Sequence, residues 1–439
     1  MRNSKSTLII GLGQTGLSVA KYLFKKNESF YITDLSLFPS GLDTVKGFLD
    51  KKRILLGGFN LDLLKEIGEI IVSPGISQDN KIISRALSLN IPVITDFDIF
   101  FSESKSKIIL VTGTNGKSTV VEMLEMILKL RHNKLSICAA GNIGLPVLDL
   151  LDKDPDISIL EISSFQLALT NNIRSNISVL LNVDEDHLDW HESFHEYKKA
   201  KKRVFENTEI SLYGTVGMLE GWLGINISLF YEKFFRFISK KVNDLWTDHD
   251  KFNLMAVLVV CFFVERFENK NFSLDDKNDI EIFLEFLLKG LQNFKFLPHR
   301  FERLGVLNGI LYINDSKATN INSSIHAITS ARKLYPDQEI ILICGGDSKG
   351  QNFSEFANIC GESIKRIYLI GMDSYKLYKI LNSKVSCVEV SNLADALAQA
   401  KNFAESRNII LLSPACSSKD MFIDYIDRGQ QFKELLGII

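Results

Sequence analysis

Short apolar runs recur along the chain, each closed by a glycine-rich or polar turn and followed by apolar residues at helical spacing. Thr7-Leu8-Ile9-Ile10, Phe30-Tyr31-Ile32-Thr33 and Ile70-Ile71-Val72 predict buried strands, and Leu17 to Lys25 an amphipathic helix. The alternation continues with Ile108 to Val111, Ile157 to Leu160 and Ile177 to Val183, and again with Ile310 to Asn314, Glu339 to Cys344, Arg366 to Ile370 and Asn408 to Leu412. Strands that are apolar without a break, separated by helices, belong to parallel sheets covered on both faces. The fold class is therefore α/β. The pattern changes near 97 and again near 297–300, giving three domains: 1–96, 97–300 and 301–439. Tyr197 to Glu206 reads as a basic helix with a solvated lysine face, and Phe252 to Phe263 as an apolar core helix. Residues 208–246 are irregular and aromatic and show no readable period. Trp190, Trp222 and Trp246 read as packing residues.

Composition narrows the function classes. A chain of 439 residues with 46% hydrophobic and 24% charged content is that of a multi-domain globular protein. A formal net charge of -2 and the lack of a long basic tract argue against a nucleic-acid partner. The six cysteines have neither CxxC nor zinc-like spacing, so neither disulfides nor a metal held by thiolates is expected. Gly11 cuts the first apolar run short of a signal peptide, and Leu254 to Val264 is too short to span a bilayer. A cytoplasmic protein with no membrane partner is the expectation.

The candidate chemistry sits at strand ends. Gly113-Thr114-Asn115-Gly116-Lys117-Ser118-Thr119 lies between a strand and a helix, where backbone N–H groups and the helix dipole attract phosphate. Lys117 can meet the outer phosphates and Ser118 a magnesium ion. Val111 stands where the general pattern G-x-x-x-x-G-K-[ST] has its first glycine, so a tighter loop is implied; the alternative is an ordinary strand-to-helix turn. The central domain thus reads as a P-loop-type ATPase. Gly11-Leu12-Gly13-Gln14-Thr15-Gly16, with Asp34 ending the next strand, is a nucleotide-binding fingerprint of the Rossmann kind. Ser73-Pro74-Gly75 is either a ligand-facing turn or a plain one. Glu161 at a strand end is a natural magnesium ligand. Asp184, Glu185, Asp186, His187 and Asp189 crowd a strand tip, where burial demands a cation or a partner; a solvated loop is the other reading. Leu297 to Arg303 looks like a linker that carries chemistry. Asp315 to Asn320, Gly345 to Lys349 and Ser413 to Asp420 give the third domain, also Rossmann-like, a polar rim.

Taken in order, GTNGKST at 113–119, EISSFQ at 161–166, NVDEDHLD at 182–189 and LPHRFE at 297–302 make the chain resemble the Mur ligases, ATP-dependent amide-forming enzymes of bacterial cell-wall synthesis. The glycine turn at 11–16, SPG at 73–75, GNIGLP at 141–146, NDSKATN at 314–320, GGDSKG at 345–350 and SPACSSKDMF at 413–422 are most similar to the branch that adds D-glutamate to UDP-N-acetylmuramoyl-L-alanine. The resemblance covers nearly the whole chain. It implies ATP and two magnesium ions as cofactors, with the 113–119 loop and Lys117 on the phosphates and Ser118 and Glu161 on one metal. It implies His187 on a second metal with a carbamylated lysine, which counting back from Phe205-Glu206-Asn207 makes Lys201. Asn253, Arg300 and Asp315 would meet ATP. Gly13, Gln14, Thr15, Gly16, Asp34, Ser73 and Asn142 would hold the UDP-sugar, and Lys317, Thr319, Lys349, Ser418 and Tyr425 the D-glutamate. A monomer is implied. The adenine-side motif, HNxxN in the family, reads His249-Asp250-Lys251-Phe252-Asn253 here. Leu35-Ser36 lacks the arginine that some relatives place there, and Lys419 stands where some have an apolar residue. Other functions compatible with parts of the sequence are an NAD-dependent dehydrogenase using the 11–16 turn and a non-catalytic nucleotide switch. Within the family, the rivals are an L-alanine-adding ligase and a folylpolyglutamate synthase.

Overall fold

The first apolar run becomes β1 (Ser6–Ile10), and its neighbours are β2 (Phe30–Asp34), β3 (Ile54–Leu56), β4 (Ile67–Val72) and β5 (Val93–Ile94). They form a parallel sheet of order β3-β2-β1-β4-β5, so the chain reverses its winding between β1 and β4. The turns after these two strands, at Gly11 and Ser73, therefore flank the switch point where open α/β sheets bind ligands. The computed structural model describes residues 5–76, 80–188, 190–214, 246–273, 276–294 and 297–438.

The second sheet holds β6 (Lys107–Thr112), β7 (Ile137–Gly141), β8 (Ile157–Glu161), β9 (Ser175–Leu180) and β10 (Thr208–Tyr213), parallel and in the order β10-β9-β6-β8-β7. Two expectations change here. The run Ile177 to Val183 stops pairing at Leu180, because Leu181 to Val183 turns beneath the loop that follows β6. Residues 208–213, read as irregular, form edge strand β10; its alternation is half-exposed, which hides a strand in a sequence scan. Residues 215–245, with Trp222, and Asp189 lie outside the described residues. Trp190 rests edge-on against the His191 ring, and Trp246 is buried. The apolar helix runs Asp248–Glu268, and no described helix is long and apolar enough to cross a membrane.

Helix Asp96–Glu103 joins the first two sheets. Phe97, Phe100 and Phe101 pack into one core that also takes Ile9, Leu12 and Phe30 from the first sheet and Ile108, Leu110, Leu160 and Leu180 from the second. Each such aromatic contributes about 2–3 kcal/mol by burial. The helix starts with a capping box between Thr95 and Asp98, and Asp98 also accepts from the backbone of Asn171 and Asn172.

The third sheet comprises β11 (Glu302–Leu307), β12 (Ile310–Asn314), β13 (Ile340–Gly345), β14 (Ile364–Ile370), β15 (Cys387–Glu389) and β16 (Ile409–Leu412), in the order β11-β12-β16-β13-β14-β15. All pairs are parallel except β11 with β12. The segment read as a linker through Arg303 thus ends in a strand. Half-exposed residues and the Asn308-Gly309 turn make β11 the solvent-side arm of a hairpin, not an apolar run. Separate apolar clusters cover the two faces of this sheet. By contact density the chain has two compact units. One holds both five-stranded sheets; the other holds the third sheet with the described residues of 184–194 and 246–253.

Candidate active site

In the first unit, β1 and helix Gln14–Lys25 meet at the glycine turn. Gly16 lies so close to β1 that a Cβ would come within 1.9 Å of the Gly11 carbonyl oxygen. Gly13 and Gln14 are exposed and Thr15 is half-buried at the helix N-terminus. The Ser73 hydroxyl donates to Gly11 O at 3.3 Å. Asp34 accepts from the backbone N–H of Leu12 at 2.6 Å and of Ser36 at 2.8 Å, so its carboxylate shapes the turn after β2.

The loop after β6 is built from two sides. Gly116 takes φ +87°, which a side chain would strain, and caps helix Lys117–Arg131. Asn182, just beyond β9, staples the loop: its Oδ1 accepts from Asn115 N at 2.8 Å and its Nδ2 donates to Asn115 O at 3.1 Å, while Thr114 N donates to Asn182 O. Ser118 and Thr119 are buried. Lys117 Nζ donates to Gly113 O at 2.9 Å and Thr114 O at 3.0 Å. Lys201, which the helix pattern alone does not separate from its solvated neighbours and which the resemblance puts at a metal, is only 2% exposed and donates to the same Gly113 O at 2.8 Å. Tyr197 lies under its ammonium and bonds the Thr114 hydroxyl at 2.9 Å. The face of helix Phe194–Lys202 that carries Tyr197 and Lys201 is thus turned inward, and only the other lysines are solvated.

Glu161 ends β8 beside this loop, since Val111 pairs with it. Its Oε1 accepts from Asn142 Nδ2 at 2.9 Å; Oε2 is buried without a protein partner. Asn142, expected on the UDP-sugar, is held to Glu161 by side chain and backbone alike. An orphaned carboxylate oxygen beside a phosphate-type loop fits a magnesium ion, which takes few protein ligands.

In the second unit, His187 adopts φ +54°, and its N–H donates to Asp186 Oδ1 at 2.8 Å. Asp186, named in the sequence only as one of the acids at this strand tip, is buried, accepts from Asn320 Nδ2 at 2.9 Å, and lies 3.5 Å from Lys349 Nζ. Burial pushes its carboxyl up, but His187, Lys349 and Asn320 outweigh that and hold it below its ordinary value. Asn253 bonds His249 at 3.1 Å and leaves Oδ1 buried without a partner, an acceptor suited to an amino group. Asp250 is the capping partner of Thr247: Oδ2 accepts from Thr247 N and Oγ1, and Thr247 Oγ1 accepts from Asp250 N. The His249 ring is tilted against that of His326, their centres 5.6 Å apart, and burial drives its pKa down to about 3, so the ring is neutral. The charge of Arg300 bears on His249, Asp250 and Asp315. Asp315 is buried, accepts from the Ser413 hydroxyl at 2.8 Å and Phe301 N at 3.0 Å, and is raised to about 7 by that burial.

Because β12, β16 and β13 are adjacent, the loops after them share one rim. Lys317 Nζ sits 3.7 Å from the Tyr425 ring centre, and Thr319 is half-buried beside it. Ser418 is buried, Lys349 takes φ +50°, and Lys419 is exposed. Asn182, Asp186, Asn320 and His326 were missed as individuals. Asn182, Asp186 and Asn320 lie inside quoted motifs, whereas nothing local marks His326.

Three family models match the chain: "Mur ligase MurD-like, N-terminal domain" over residues 5–95, "Mur ligase middle domain" over 111–216 and "Mur ligase, glutamate ligase domain" over 299–416. Among curated relatives, the protein named UDP-N-acetylmuramoylalanine--D-glutamate ligase of Saccharophagus degradans is 33% identical, covering 97% of this chain and 96% of its own. That of Buchnera aphidicola is 34% identical over 98% of each. A pseudomurein peptide ligase type C from Methanothermus fervidus superposes with a TM-score of 0.56 at 17% identity, over 99% of both chains, a likeness of fold. The chain belongs to the Mur ligase family.

Proposed function

We propose that this chain is the ATP-dependent ligase that joins D-glutamate to UDP-N-acetylmuramoyl-L-alanine. The observation that carries the reading is the arrangement at the end of β6. A stapled phosphate-type loop with Lys117 lies beside Glu161, whose buried Oε2 has no protein partner, and beside Lys201. The alanyl carboxylate attacks the γ-phosphorus of ATP, giving an acyl phosphate and ADP. The D-glutamate amine then adds to the acyl carbon, and the tetrahedral intermediate expels phosphate and forms the amide. Lys117 stabilises charge on the phosphates in transfer, and backbone N–H groups of 113–119 hold them. Ser118 and Glu161 are the ligands we assign to one magnesium, and His187 and Lys201, as its carbamate, to a second. When bound, magnesium offsets repulsion between an attacking carboxylate and a polyphosphate. Asn253, through Oδ1, and Arg300 and Asp315 are assigned to ATP. Gly13 to Gly16, Asp34 and Ser73 are assigned to the UDP-sugar, with Asn142 acting there or through Glu161. Lys317, Thr319, Lys349, Ser418 and Tyr425 are assigned to the two carboxylates and backbone of D-glutamate.

The domain divisions that go with this reading are 1–96, 97–300 and 301–439, and the protein works as a cytoplasmic monomer. The deciding measurement is phosphate release from ATP with each substrate omitted in turn and amino acids supplied one by one. Release that requires both the nucleotide sugar and D-glutamate is expected. Release indifferent to the amino acid, or satisfied by L-alanine, would overturn the assignment.

A further inference from the structure

Arg428 is a cation sealed in the second unit, and among the described residues no carboxylate is bonded to it. It is 1% exposed. Its Nε donates to Ser316 Oγ at 3.0 Å and its Nη2 to Ser316 O at 2.8 Å; Nη1 and Nη2 each reach Cys416 O at 3.3 Å. Every one of these acceptors is neutral. A desolvated guanidinium is costly to hold and ordinarily finds an anion. Burial pulls its pKa down to about 10, with Cys416 and Asp420 opposing, so it remains charged at neutral pH.

Its two anchors lie in different loops. Ser316 immediately precedes Lys317 in the loop after β12, and Cys416 lies two residues before Ser418 in the loop after β16. The helix Tyr425–Leu435 delivers Arg428 one turn beyond Tyr425. This helix is seated closely: Tyr425 O accepts from Ser316 Oγ at 2.8 Å and Gly429 O from Asn314 Nδ2 at 3.2 Å. A Cβ on Gly429 would come within 2.3 Å of His299 Nδ1.

We infer that Arg428 is a positioning residue for the amino-acid substrate, clamping the two loops that carry Lys317, Thr319 and Ser418 in register. Its charge, bonded to no carboxylate among the described residues and offset only through space by Asp420 and Asp315, adds positive potential where a dianion is to be held. The inference rests on the reading of these loops as the D-glutamate site. It adds a residue that touches no substrate.

The test uses the full-length protein with Arg428→Gln and Arg428→Lys. Wild-type turnover with D-glutamate is measured first; its absence overturns the amino-acid reading and this inference with it. Given that turnover, the KM for D-glutamate should rise on the order of 30-fold or more in R428Q. The rise should be smaller in R428K, which keeps the charge but loses the fork. The KM values for ATP and the nucleotide sugar should stay within about twofold to threefold, the range expected for a residue remote from their contacts. Hydroxylamine trapping of the acyl phosphate, run without D-glutamate, should be unchanged in both variants. An unchanged D-glutamate KM in both, or equal losses for all three substrates and for trapping, would overturn the positioning role while leaving the proposed reaction standing. If R428Q does not fold, R428K decides by the same criteria.

Discussion

Lys117 and Lys201 show how little a residue's type reveals about its task. Both end on Gly113 O, yet one lies in a recognisable loop and the other in a run of lysines that reads as solvated. Lys117→Ala should lower ATP-dependent phosphate release by about a thousandfold or more, the scale on which lost charge stabilisation acts, with an unchanged circular dichroism spectrum. Near-normal turnover would sink the ATP assignment. Lys201→Ala should also be inactive, with partial recovery in formate or acetate, because a small carboxylate can replace a carbamate. Density for a bare Lys201 in crystals grown with bicarbonate would count against the carbamate. Asp96 makes a separate prediction. Its carboxyl is raised to about 7, first by burial, and Oδ1 has no partner. The folded protein therefore binds this proton more tightly than the unfolded chain does. The stability it contributes is full below the ordinary carboxylate value of 3.8 and is lost as pH rises through about 7. In Asp96→Asn the neutral form is permanent. Melting curves of variant and wild type should diverge from pH 5 to pH 8, by up to a few kcal/mol in the variant's favour. Parallel curves would dismiss the role.

At the scale of elements, strand-to-helix turns carry the chemistry, and their glycines are the sensitive points. Gly141 has φ +114°, and a Cβ there would lie 2.2 Å from Glu161 O. Gly141→Ala should cost roughly 2 kcal/mol or more of stability and depress kcat by shifting Glu161. Normal kcat in a destabilised variant would separate Glu161 from the chemistry. Asn182→Ala removes two side-chain bonds to Asn115 and should raise the KM for ATP about tenfold, measured with the other substrates saturating. Long apolar strands with glycine turns were legible because burial on both faces leaves no other pattern. Half-exposed edges such as β10 and β11 were not, since their side chains face water and core alternately. The same limit hid partners within motifs. Asn182, Asp186 and Arg428 act on groups distant in sequence, and spacing holds no record of a hydrogen bond across a sheet. Asp250 reads locally as a lost amide, but it forms a capping box with Thr247 that a helix start favours in its own right.

For the whole molecule, the shared core between the first two sheets decides how it comes apart. Phe97 and Phe100 belong to both, so Phe100→Ala should cost about 3–5 kcal/mol and lower amide-exchange protection in both sheets together. Loss of protection in the N-terminal sheet alone would mean that the two are thermodynamically separate. The third sheet has its own clusters and should keep its protection in that variant. Its strand order has a further consequence for biogenesis. β16 is the last strand of that sheet in sequence, yet it lies between β12 and β13. While the ribosome is still making the chain, β12 and β13 have no central neighbour, and their apolar edges stay open until Ile409 to Leu412 emerge. Long-range closure of that kind is slow and invites wrong pairing. Nascent chains stalled before β16 should therefore recruit chaperones strongly, and those stalled well beyond it should not.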